Sequence, residues 1–199
     1  GIYFIVRAFF DFDVSGISGT VSAATFSAKT NVNGGHDAII LKSGHDPSNT
    51  STDWFNTWLT GLGGTISGWG TSSTGVTAFS SNHTVANANQ FTDYTLNAAG
   101  LSHLNSIAGT STPFKIVLMN YDHDYLDVDP NTSGGASSNL QRTGVYFADN
   151  TTAGNRPHLD YTISSASGYG QDVVGVATAN IEAVIGVATG DIEKVIGVD

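Results

Sequence analysis

The sequence predicts an all-β chain: an antiparallel jelly-roll β-sandwich with one or two short helices and a C-terminal repeat tail. Three observations lead there. Short apolar or alternating runs rich in Val, Ile, Phe and Tyr recur between clusters of Gly, Ser and Asn. No strand–helix–strand rhythm occurs, which disfavours a parallel sheet. Hydrophobic residues make up 40% of the chain and charged ones 12%, so a core is available while turn-forming small polar residues replace the usual surface charges.

The elements follow in order. Phe10 and Phe12 alternate with Asp11 and Asp13 at the end of the run that starts at Ile2, the pattern of a half-buried strand. Ser15-Gly16 and Ser18-Gly19 are turn signals before a second strand, Val21 to Lys29. Asp37 to Lys42 carries Ile39-Ile40-Leu41, a strand apolar on both faces. Trp54, Phe55, Trp58 and Leu59 stand at helical spacing behind a cap at Thr52 or Asp53. Beyond a Gly-rich stretch, Val76 to Phe79 and Phe91 to Leu96 read as strands, and Ala98 to Ile107 as a short amphipathic helix. Phe114 to Asn120 is the most strand-like segment; Gly144 to Ala148 and His158 to Ile163 complete eight to ten strands.

The net charge is −10 with seven Lys and Arg, the wrong sign for a nucleic-acid groove or an anionic membrane surface. No apolar run reaches the length of a membrane span. The absence of cysteine suits a robust extracellular or viral protein, and equally a cytosolic one. The chain opens on Gly1 in an apolar run, as a processed or partial chain would.

The composition changes after residue 164, which divides the chain into a sandwich (1–164), a linker (165–172) and a repeat tail (173–199). Val174-Gly175-Val176 to Ala183 is echoed by Ile185-Gly186-Val187 to Lys194, and Ile196-Gly197-Val198 begins a third copy, a period of 11 residues. A unit this short cannot bury its own apolar side, so it stacks on copies of itself or on other chains. The apolar positions are Val174, Val176, Ile181, Val184, Ile185, Val187, Ile192, Val195 and Ile196. An 11-residue helical period and short β-strands both fit the pattern, against the plain alternative of a linker.

Four segments in order resemble the DNRLRE-type jelly-roll family, related to alginate-binding carbohydrate modules. Arg7-Ala8-Phe9-Phe10-Asp11-Phe12-Asp13 resembles its R-x-L-x-F-D strand, and Ser22-Ala23-Ala24-Thr25-Phe26 its S-A-x-L strand. Phe91 to Leu96 resembles its W-x-x-x-D-V-T segment, and Asn155 to Tyr161 its closing x-R-P-x-L-x-V-x-Y. The resemblance covers residues 1 to 164 and implies a non-enzymatic jelly roll. The strands that normally precede the Arg7 strand are missing, which implies an open edge that a neighbouring subunit's strand would fill. The tail is similar to V-x-G-V-A-x-A-N-I-x-x repeats of marine phage structural proteins.

Few residues suggest chemistry. Asp122, Asp124, Asp127 and Asp129 are close enough in sequence to converge on Ca²⁺, although the segment lacks the Gly and Glu of an EF-hand; a solvated loop fits as well. Trp54, Trp58, Trp69, Tyr121 and Tyr125 are candidates for stacking on sugars, with core packing as the commoner use. The histidines lack metal-ligand spacing and read as surface or turn residues. No nucleophile elbow or cysteine nucleophile is present. The expectation is therefore a non-enzymatic structural protein of a phage virion surface: a head fibre, decoration or tail-associated fibre. It would associate with copies of itself, as a trimer or larger, and with other virion proteins. The alternatives are a carbohydrate-binding module or adhesin domain that meets surface polysaccharide, and a subunit of a bacterial extracellular filament.

Overall fold

Alternation at Phe9-Phe10-Asp11-Phe12 produces the first strand, β1 (Ala8–Phe12), with Phe10 and Phe12 on one face and Phe9 and Asp11 on the other. The computed structural model describes residues 7–32, 35–46, 58–59, 62, 75–128 and 144–164, and the backbone of 183–184 and 187–188. The strands that follow are β2 (Val21–Lys29), β3 (Asp37–Lys42), β4 (His83–Thr84), β5 (Phe91–Thr95), β6 (Phe114–Asn120) and β7 (His158–Ile163). They form two antiparallel sheets, one ordered β1-β6-β3-β4 and one ordered β5-β2-β7. The fold is thus an all-β sandwich. Among the described residues it holds seven strands, one fewer than the paired four-stranded sheets of a jelly roll.

The space between the sheets is filled by aromatic and branched side chains. Phe10, Ile40, Phe114, Ile116 and Leu118 from the larger sheet meet Ala24, Phe26, Ala28 and Tyr94 from the smaller one. Phe26 is the hub: its ring centroid lies 5.0 Å from Phe10, 5.8 Å from Phe12 and 5.9 Å from Tyr94. The run Ile39-Ile40-Leu41 is buried on both faces, as its sequence implies. Ile40 faces the smaller sheet, whereas Ile39, Leu41, Val117 and Met119 form a second cluster on the opposite side. Trp58 and Leu59 cover that second cluster, with Phe9, Tyr121 and Tyr125 packed at its margins.

A helix, α1 (Ala98–Ile107), closes one side of the sandwich at the limits its sequence predicts. Asn97 caps it, its side-chain oxygen accepting from Gly100 N at 3.0 Å. Gly100 faces Phe79, where an added Cβ would lie 3.1 Å from a backbone oxygen, a tight fit that would push the helix and Phe79 apart by a few tenths of an ångström. Beyond the helix Gly109 takes φ +74°, and its N–H donates to Val14 O. Asn105 ties the helix to β2: Oδ1 accepts from Val21 N at 2.8 Å, and Nδ2 donates to Val21 O at 2.9 Å and to Leu101 O at 3.0 Å. The side chain acts as a strand partner at the start of β2. Asn105→Ala is expected to cost about 1–3 kcal/mol, because it leaves two half-buried backbone groups unpaired. The check is a urea unfolding midpoint, which should fall; an unchanged midpoint would refute the clamp.

Two sequence-predicted strands are shorter than expected. Of Val76 to Phe79, only Ala78 bridges to Leu41, with Lys42 N donating to Thr77 O and Phe79 N to Ile40 O. Of Gly144 to Ala148, only Val145 bridges, to Thr30. Strand β4 has no counterpart in the sequence pattern. It is held by Asp37, whose carboxylate accepts from Asn82 Nδ2 at 2.6 Å and Thr84 Oγ1 at 2.7 Å. The expected helix around Trp54 lies outside the described residues except at Trp58 and Leu59, which form a turn.

The chain divides into two compact units, Gly1–Ile163 and Ser164–Asp199. In the second, β8 (Ala183–Val184) pairs antiparallel with β9 (Val187–Ala188), in register Val184 with Val187 and Ala183 with Ala188. The described part of the repeat is therefore β. No helix among the described residues is long and apolar enough to cross a membrane.

Candidate functional site

The densest polar chemistry of the described residues lies on the outer face of the larger sheet. Side chains alternate along β1, so Arg7, Phe9 and Asp11 all point to that face. Each grips a part of the layer that covers it. Arg7 Nε donates to Asp124 Oδ2 at 2.7 Å and Nη2 donates to Asp124 Oδ1 at 2.6 Å, a two-pronged ion pair with both side chains 2% exposed. The guanidinium also stands 5.4 Å from the centre of the Trp58 ring. Two residues on, the Phe9 ring lies 5.0 Å from that of His45. Two further, Asp11 Oδ1 lies 2.9 Å from His45 Nε2.

Asp124 reaches Arg7 through a single wide turn. Tyr121–Tyr125 winds as a π-helical turn directly after β6, capped by Asn120, whose Oδ1 accepts from His123 N at 2.7 Å. The turn stacks Tyr121 on Tyr125, with centroids 5.4 Å apart, and aims Asp124 inward.

His45 completes a chain of contacts. Its Nδ1 lies 2.8 Å from Ser43 Oγ and its Nε2 faces Asp11, while its backbone carbonyl accepts from Lys115 Nζ at 2.7 Å. Serine, histidine and aspartate in contact invite comparison with a nucleophilic triad, but the geometry differs from one. Ser43 is 4% exposed, and its Oγ also accepts from His45 N at 3.3 Å. A nucleophile must present its oxygen to substrate; this one is enclosed by the chain and engaged twice. The arrangement does the work of a cross-link between β1, the loop after β3, and β6.

These positions change several expectations. Trp58 is fully buried, so its ring face is not available to a sugar; it covers the outer core and the Arg7 guanidinium. Tyr121 and Tyr125 are half-buried against the same cluster. Trp54 and Trp69 lie outside the described residues. Of the acidic run, Asp124 is drawn inward by Arg7, Asp122 is partly exposed, and Asp127 is exposed with φ +58°. Asp129 lies outside the described residues, among which no three His, Asp or Glu side chains are grouped to hold a metal ion. His36 and His45 are buried rather than surface residues. In the repeat, only Val184 and Val187 of the apolar positions have a described backbone.

The Arg7–Asp124 pair is not legible in the sequence, since its partners are 117 residues apart. The one available signal is an arginine inside the apolar run from Ile2 to Phe10.

Burial holds the His36 imidazole below its ordinary pKa, against the pull of the Asp122 and Asp37 carboxylates. Burial also lowers His103, with the Lys42 ammonium adding to the effect. In the window below the ordinary 6.5, both rings stay neutral in the fold and protonate in the unfolded chain. The unfolded state then binds more protons, so stability falls as pH drops from 6.5 toward the folded values. The urea midpoint is expected to decrease between about pH 7 and 5, and less so in His36→Gln and His103→Gln. A decrease of equal size in both variants would assign the effect to other groups.

No family model matches the chain, and neither a curated protein nor a solved structure matches it significantly.

Proposed function

We propose that this chain is a non-enzymatic structural subunit of a phage virion surface, with the sandwich as its body and the repeat as its assembly segment. The observation that carries the reading is the recurrence of Val-Val-Gly-Val (173–176), Val-Ile-Gly-Val (184–187) and Val-Ile-Gly-Val (195–198) at 11-residue spacing, with a β-hairpin at the middle copy. A hairpin of two residues per strand is not stable alone in water. Stacking like hairpins from neighbouring chains would bury apolar surface that so short a unit cannot cover by itself. The polar contacts of the body support the same reading. Arg7–Asp124 and Asp11–His45–Ser43 are closed within the protein and join its layers.

The test is the solution mass of the whole chain and of a truncation ending at Ser164. The whole chain is expected to be a trimer or larger and the truncation a monomer. Val184→Asp with Val195→Asp in the full chain should dissociate it as the truncation does. A monomeric whole chain would overturn the reading.

A further inference from the structure

A second polar site lies on the inter-sheet side of the larger sheet, away from the Arg7 and His45 contacts. Residues 99, 102, 103 and 106 fall on one face of α1, at the spacing that aligns side chains along a helix. This face and the end of β3 border a shallow, open groove of about 370 Å³. Its walls are Lys42, Thr77, Phe79, Ser102, His103 and Ser106. Lys42 follows Ile40 on the side facing the helix, and its N–H donates to Thr77 O, which holds the two residues together. The His103 ring lies 5.5 Å from Phe79 and 5.9 Å from Phe114, which fixes its plane.

The charges of the described residues single out this groove. Arg7 is paired with Asp124, Lys29 donates to Asn155, Lys115 to the His45 carbonyl and Arg156 to the Asn150 carbonyl. Lys42 is the one described lysine or arginine whose cationic group has no hydrogen-bond or ion-pair partner among the described residues. Among those residues the His103 ring nitrogens and the Ser102 hydroxyl are likewise open. Ser106 Oγ donates to His103 O at 2.7 Å, which leaves its lone pairs to accept from a ligand. In a chain of net charge −10, an uncommitted cation beside three hydroxyls forms a local well for an anion.

We propose that this groove binds a small hydroxylated carboxylate, with the carboxylate on Lys42 and the hydroxyls on Thr77, Ser102 and Ser106. The groove is open, so a ligand of about monosaccharide size would be held there by its polar contacts rather than by enclosure. The proposal is independent of the assembly role of the tail.

The test uses the full chain and NMR titration with D-gluconate, beside sorbitol (the hydroxyls without the charge) and acetate (the charge without the hydroxyls). Gluconate is expected to shift the amide signals of Lys42, Ser102 and His103 in a saturable way, at least about tenfold more tightly than either control. Lys42→Met should weaken gluconate about tenfold and Lys42→Arg much less, while the remaining amide spectrum shows that both variants are folded. Absence of saturable shifts with gluconate overturns the proposal. Equal binding of sorbitol overturns the Lys42–carboxylate pairing, and equal binding of acetate overturns the role of the hydroxyls.

Discussion

Asp124→Ala is expected to destabilise the sandwich by about 3–5 kcal/mol, the cost of removing the carboxylate from a buried, two-pronged ion pair. The Arg7 guanidinium would keep its place under Trp58, 2% exposed and with neither carboxylate oxygen left to accept from it. For a unit of this size the thermal midpoint should fall by roughly 10 °C. Arg7→Met is also expected to destabilise, because it leaves the Asp124 carboxylate, 2% exposed, without its guanidinium. The double variant Arg7→Met with Asp124→Leu should recover most of the loss, since two apolar side chains replace two desolvated charges. A double-mutant cycle by urea unfolding reads the coupling directly. Additive single effects would show that the pair contributes no more than its separate packing.

Phe26→Ala is expected to cost a similar amount, about 3–5 kcal/mol, for a different reason. The ring is fully buried, and removing it leaves Phe10, Phe12 and Tyr94 facing a void at the centre of the inter-sheet core. The sheets cannot close over it, because β2 is fixed by antiparallel pairing to both β5 and β7. Phe26→Leu fills most of the space and should cost about 1–1.5 kcal/mol. Tyr161→Ala, at an edge-strand residue 47% exposed, should change stability by less than about 0.5 kcal/mol. Equilibrium unfolding of the three variants checks the order; a Phe26→Ala loss no larger than that of Tyr161→Ala would contradict the position assigned to this ring.

The elements most legible in the sequence are those with strong local periodicity. Val21–Lys29, Asp37–Lys42, Ala98–Ile107 and His158–Ile163 stand where their patterns place them. Alternation and helical spacing are properties of a segment by itself, and they survive whatever the segment packs against. The shorter pieces carry no such signal. His83–Thr84 forms a strand by pairing with Asp37 and Ala38, distant in sequence, and the Asp37 carboxylate adds bonds from Asn82 and Thr84. Val76 to Phe79 has an apolar run but contributes a single bridge.

Composition and periodicity by themselves determined the all-β class, the burial of Ile39-Ile40-Leu41 on both faces, the position of α1 and the 11-residue repeat. Tertiary structure alone decided which polar residues meet. Nothing near Arg7 in sequence points to Asp124, and nothing near His45 points to Asp11; each pair forms because β1 lies beside β6, which lies beside β3. The same packing buries Trp58 and sets Lys42 in a groove where no described residue pairs with its charge. Local pattern follows from the chain's own geometry, whereas a charge finds its partner only after distant segments have been brought together by the burial of apolar surface.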